Sequence, residues 1–94
     1  MKITVKRTGG YAGLDEAKSL DTNQIDKTAA QQIEQLVSTV SFFKLPAKLG
    51  EEVGADFIHY QITVSDESGQ HTVSFDDDGS DQSAALRRLT DMII

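Results

Sequence analysis

The chain has no cysteine, and that absence removes a disulfide framework, a thiolate metal site and a catalytic thiol together. The fold must therefore rest on its core, and a reducing compartment is favoured. No stretch approaches the roughly 18 consecutive apolar residues of a membrane span. Met1 leads directly into KITVK without an apolar leader, so a cytoplasmic protein that stays off the membrane is expected. Histidine is scarce as well, with only His59 and His71. The 94 residues are expected to form one domain over the whole length, burying roughly 60–65% of the unfolded surface. That size leaves no room for a deep active site between domains.

Positive charge is thinly and unevenly spread. Residues 1–48 carry seven Lys/Arg against five Asp/Glu, whereas residues 49–94 carry two against ten. The acidic half repels phosphate backbones and anionic lipid, which argues against nucleic acid and membrane as partners. A protein partner with a positive rim is steered by the same field, although acidity also serves solubility.

What is present is a clear alternation of patterns. KITVKRT places Ile3 and Val5 on one face and Lys2, Thr4 and Lys6 on the other, as a half-buried strand does. After the glycine-rich stretch, LDEAKSL reads as a weaker strand with Ala17 out of phase, pairing with the first. Asp21 is then the expected N-cap of a helix, with Gln24 closing a capping box and Leu20 and Ile25 at the staple positions. Ile25, Ala29, Ile33, Leu36, Val37 and Val40 form its apolar stripe. Phe42, Phe43, Leu45 and Pro46 are expected to end it, the aromatics plugging into the core and Pro46 stopping the ladder.

Residues 47–56 read as a polar, glycine-punctuated surface loop. FIHYQITVSDESGQHTVSF reads as a hairpin with Ser68 and Gly69 at the centre of the turn, which sets Val64 opposite Val73 and Ile62 opposite Phe75. The closing segment offers Asp78 or Ser80 as N-cap to a second helix with Leu86, Leu89, Met92 and Ile93 on one face. The order is ββαββα. The fold class expected is α+β, a four-stranded antiparallel sheet packed against two helices.

No catalytic constellation emerges. GGYAG is not G-x-G-x-x-G, opens no helix and lacks the Lys-Ser/Thr of a phosphate loop. The hairpin register sends His59 and His71 to opposite faces, so one metal ion cannot reach both rings. DDDGSD fails as a calcium loop, because position 6 counted from Asp76 is Asp81 and position 12 is Arg87. Asp15 and Glu16 point to opposite sides of a strand, and ALRRL holds no nucleophile elbow. An enzyme is not expected. Lys2, Lys6, Arg7 and Lys18 are expected to line the outer face of the first hairpin as a solvated basic face.

The segment from Arg7 to Leu14, RTGGYAGL, carries the most information. Glycine reaches positive φ without penalty, so a glycine-assisted turn explains the glycines. Tyr11 is not explained that way, since a loop tip needs no aromatic for its geometry and such residues serve as binding anchors. MKITVKRTGGYAGL, with VSFFKLP, FIHYQITVSDESGQHTVSFDD and the closing LRRL, resembles the emfourin family of small inhibitors of thermolysin-like zinc peptidases. The resemblance covers nearly the whole chain. Its most specific part is a basic or hydroxyl residue, two glycines, an aromatic, a small residue, glycine and an apolar residue. One departure is the acidic turn after Phe75, which lacks a proline found in many relatives.

The resemblance implies a thermolysin-like, protealysin-type zinc peptidase as partner, met in the bacterial cytoplasm, with Arg7, Thr8, Gly9, Gly10, Tyr11, Ala12, Gly13 and Leu14 as the partner-binding residues. It implies no cofactor of the chain's own, the zinc being the target's, and the free chain is expected to be a monomer. In this reading the loop is a thin wedge for the peptidase cleft, with Tyr11 and Leu14 as candidate anchors. The Leu49 to Asp56 loop is a candidate second contact. The competing reading is an interaction module without inhibitory activity that offers an exposed sheet edge, strand two, to a partner's strand.

Overall fold

A computed structural model describes residues 1–9, 14–49, 58–76 and 80–93. Four strands, β1 (Lys2–Gly9), β2 (Leu14–Asp21), β3 (Ile58–Asp66) and β4 (Gly69–Asp76), form one antiparallel sheet in the order β2-β1-β3-β4. Two helices, α1 (Lys27–Thr39) and α2 (Asp81–Asp91), cover one face. The ββαββα order and the α+β class are those expected from the pattern.

Alternation decides which face is covered. Ile3, Val5, Tyr60, Ile62, Val64, Val73 and Phe75 all point to the helices and are buried, and each such side chain contributes about 1.5–3 kcal/mol on leaving water. Ile33 and Val37 from α1 and Leu86, Leu89 and Ile93 from α2 close the core over them. The opposite face is polar and open, with a hydroxyl row that crosses all four strands. Ser19 is opposite Thr4, Thr4 opposite Thr63 and Thr63 opposite Thr72. Two of these neighbours hydrogen bond, Thr4 Oγ1 to Ser19 Oγ at 3.0 Å and Thr63 Oγ1 to Thr72 Oγ1 at 2.9 Å.

Several local expectations are corrected. Asp21 does cap, accepting from the Asn23 N–H at 2.9 Å, but it caps a single 3-10 turn at Thr22–Gln24. The helix proper starts one turn later, where the Asp26 carboxylate accepts from the N–H groups of Thr28 and Ala29. Ile33 and Val37 are buried as expected, but in the first turn Ala30 is buried where Ala29 was expected. The helix ends before Pro46. Its last turn is closed at Val40, and Ser41 then takes φ 52° and ψ 50°, which turns the chain into a 3-10 turn at Phe42–Lys44. Of the two aromatics only Phe42 enters the core, while Phe43 remains 38% exposed.

Ser41 is the one residue other than glycine with positive φ among the described residues. A left-handed conformation costs an L-residue about 1–2 kcal/mol, partly offset in glycine by its greater unfolded freedom. Ser41→Gly is therefore expected to stabilise the protein by roughly 0.5–1 kcal/mol, raising Tm by about 2–8 °C in a calorimetric scan.

The second hairpin is shifted by two residues from the expected register. Val64 faces His71, Ile62 faces Val73 and Tyr60 faces Phe75, with Glu67 and Ser68 at the turn centre. The cause is an Asx turn. The Asp66 carboxylate accepts from the Ser68 backbone N–H at 2.8 Å and its hydroxyl at 2.6 Å, bonds that lower the Asp66 pKa below the ordinary carboxylate value. Gly69 then enters β4 at φ 142°. A shift of two preserves which face each side chain takes, so alternation alone cannot tell the two registers apart. The start of the expected 47–56 loop, residues 47–49, is also tied down. Ala47 and Leu49 exchange backbone hydrogen bonds with Ser74 at 2.7 and 2.9 Å, covering part of the outer edge of β4. Residues 50–57 lie outside the described residues.

Candidate functional site

One end of the sheet gathers the features that the fold itself does not require. Gly9 ends β1, opposite both Leu14 at the start of β2 and Ile58 at the start of β3, and His59 is opposite Asp76 at the end of β4. The glycine-rich connection, the segment before β3 and the acidic segment after β4 therefore all join the sheet at this end. Gly9 has φ 99°, a backbone conformation open to glycine and strained for other residues. The connection from Gly9 to Leu14 is four residues long, and its two roots are register partners on adjacent strands.

Immediately behind these roots, each face of the sheet carries a cross-strand cluster. On the helix side, Arg7 is opposite Glu16 on β2 and Tyr60 on β3. Its guanidinium pairs with the Glu16 carboxylate, and this bond raises the Arg7 pKa above its already high ordinary value. The Arg7 Nε is buried and has no acceptor among the described residues. The Tyr60 ring is 1% exposed and stacks on Phe75 with centroids 5.1 Å apart and planes at 13°. From α2, Arg87 donates to the Tyr60 hydroxyl, lies 5.1 Å from the ring centroid and reaches Asp91 at 3.1 Å. A chain of contacts thus runs from β2 through β1 and β3 to α2 just below the glycine-rich connection.

On the open side, Thr8 lies between Asp15 and His59 in the register, and His59 Nδ1 bonds the Asp76 carboxylate. Lys6, Thr8, Lys48, His59, Gln61 and Asp76 line a shallow depression of about 360 Å³. His71 sits on the other face, where its Nε2 donates to the Leu45 carbonyl at 2.7 Å and its ring packs edge-on against Phe42. The two histidines are therefore separated by the sheet, as their spacing implied. Among the described residues no group of three potential metal ligands occurs.

The expected binding residues divide as follows. Arg7 lies on the helix face, Thr8 on the open face, and Gly9 at the root of the connection. Leu14 opens β2, while Gly10, Tyr11, Ala12 and Gly13 lie outside the described residues. The basic face expected from Lys2, Lys6, Arg7 and Lys18 does not form. Lys2 and Lys6 are on the open face, but Arg7 follows Ile3 and Val5 to the helix side, and Lys18 is opposite Val5. The contributions of Glu16, Tyr60 and Arg87 were missed. Period-two spacing put Arg7 in phase with Ile3 and Val5, a signal that a cationic residue there needs partners on the buried side.

The family model for emfourin matches residues 5–93, which take in both roots of the glycine-rich connection, the brace behind them and both helices. The chain belongs to the emfourin family. Emfourins are protease inhibitors, so family membership gives the chain protease inhibition as its general function and a protease as the general class of its partner. No curated protein and no solved structure is significantly similar to the chain.

Proposed function

We propose that this emfourin inhibits thermolysin-like zinc metallopeptidases of the protealysin type by lodging residues 8–14 in the active-site cleft. The observation that carries the reading is the framing of a four-residue, glycine-rich connection by paired strands, with Gly9 at φ 99° and the Arg7–Glu16 bond directly behind it. Short, framed loops lose little freedom on binding, and glycines let the backbone approach the cleft walls. Tyr11 and Leu14 supply the apolar contacts for a pocket that prefers an apolar side chain. The zinc belongs to the peptidase, and occlusion of the cleft requires no ligand from the inhibitor.

Titration of a thermolysin-like peptidase with the purified protein tests this. Activity is expected to fall to zero near one equivalent while a serine protease run in parallel keeps its full rate. An unaffected metallopeptidase overturns the assignment of target class. A second reading has its own support, because the outer edge of β2 pairs with nothing among the described residues and is free to receive a partner's strand.

A further inference from the structure

The open edge of β2 has a sequence that matches itself. Antiparallel pairing of two copies of one edge strand places a two-fold axis normal to the sheet, and such an axis keeps each face on its own side. Residues on opposite faces cannot then oppose one another, so the axis must pass through a residue. Three centres keep most of the eight-residue strand paired. An axis at Glu16 sets Glu16 against Glu16. One at Lys18 sets Lys18 against Lys18 and Asp15 against Asp21. An axis at Ala17 avoids every like-charge pair, since Glu16 faces Lys18 of the second copy twice, Asp15 faces Ser19 twice, and a small side chain occupies the centre.

Side chains around this edge suit the arrangement. Asp15, Ala17, Lys18 and Ser19 are exposed, and Glu16 keeps 42% of its side chain accessible while bonded to Arg7. Glu16 and Lys18 take the helix side of the sheet, opposite Arg7 and Val5 respectively, so the intermolecular pair forms on one face. β1 lies on the other side of the strand, leaving the outer backbone groups without a partner among the described residues.

We infer that two copies of the chain join through β2, centred on Ala17, into one eight-stranded sheet held by main-chain hydrogen bonds and two Glu16–Lys18 pairs. A free monomer was the expectation from sequence; the self-matching edge makes that the dilute state of a reversible dimer. The two copies of Leu14 stand about 20 Å apart along the joined strands, six residues of extended chain. Their glycine-rich connections leave from opposite ends of the shared edge, which keeps both accessible.

Sedimentation velocity of the full-length protein at low salt, over a rising concentration series, tests the inference. The wild type is expected to shift from monomer to dimer, and Lys18→Glu and Glu16→Lys are each expected to weaken self-association at least about tenfold by setting like charges opposite. Mixing these two variants restores the complementary pairs, so a heterodimer is expected at concentrations where neither variant dimerises alone. Ala17→Asp, at an exposed position on the open face, sets two carboxylates across the axis. It gives an independent reading should Glu16→Lys disturb the bond to Arg7. A wild type that stays monomeric into the millimolar range, or a dimer that survives Ala17→Asp unchanged, overturns the proposal.

Discussion

Tyr11→Ala is expected to raise the inhibition constant against a thermolysin-like peptidase by about 30- to 1000-fold, the roughly 2–4 kcal/mol carried by an aromatic anchor at an interface centre. The expectation follows from a division of labour. A connection between Gly9 and Leu14, which are already strand neighbours, needs glycine for its geometry but gains nothing from an aromatic. The proposed docking accounts for Tyr11, which the strand pair that frames the connection does not require. If Tyr11 serves docking alone, Tm should stay within about 2 °C of the wild type. The same variant separates the two modes of docking. A partner strand added to β2 is held mainly by main-chain hydrogen bonds, which Tyr11→Ala leaves intact. Full inhibition by the variant would move the wedge to another segment and leave the target class standing.

The fold was legible where one physical rule dominated. Two-residue alternation in β1 and β3 and the apolar stripes of both helices fixed which faces are buried, and the sheet with two helices follows from burying them together. Errors arose where two local solutions share one pattern. Asp21 and Asp26 are both competent caps, and only tertiary packing decides that the first closes a 3-10 turn and the second a helix. The hairpin turn moved by one residue because the Asp66 carboxylate captures Ser68, a choice to which alternation is blind. Of the candidate site, the sequence marked a segment but none of the side chains packed behind it. Glycines marked the connection, but Tyr60 and Arg87 are 27 residues apart in sequence and meet only after β3 and α2 have packed.

That packing makes Tyr60 the position whose loss is expected to cost most in stability. Its ring is 1% exposed, stacked on Phe75 and covered by Arg87, so Tyr60→Ala removes a fully buried aromatic from the core. A cost of about 3–5 kcal/mol is expected, a large share of the 5–15 kcal/mol that holds a domain of this size. Tyr60→Phe keeps the stack and removes only the hydroxyl that accepts from Arg87, for which about 1–2 kcal/mol is expected. Chemical denaturation of the two variants measures the difference directly. Equal losses would assign the stability to the hydroxyl and its link to α2, and not to the ring. Inhibition gives the second reading. If the brace behind Gly9 and Leu14 presets the connection, Tyr60→Phe inhibits more weakly than the wild type even under conditions where both are fully folded. If it serves stability alone, the two inhibit equally there, and the brace has no part in docking.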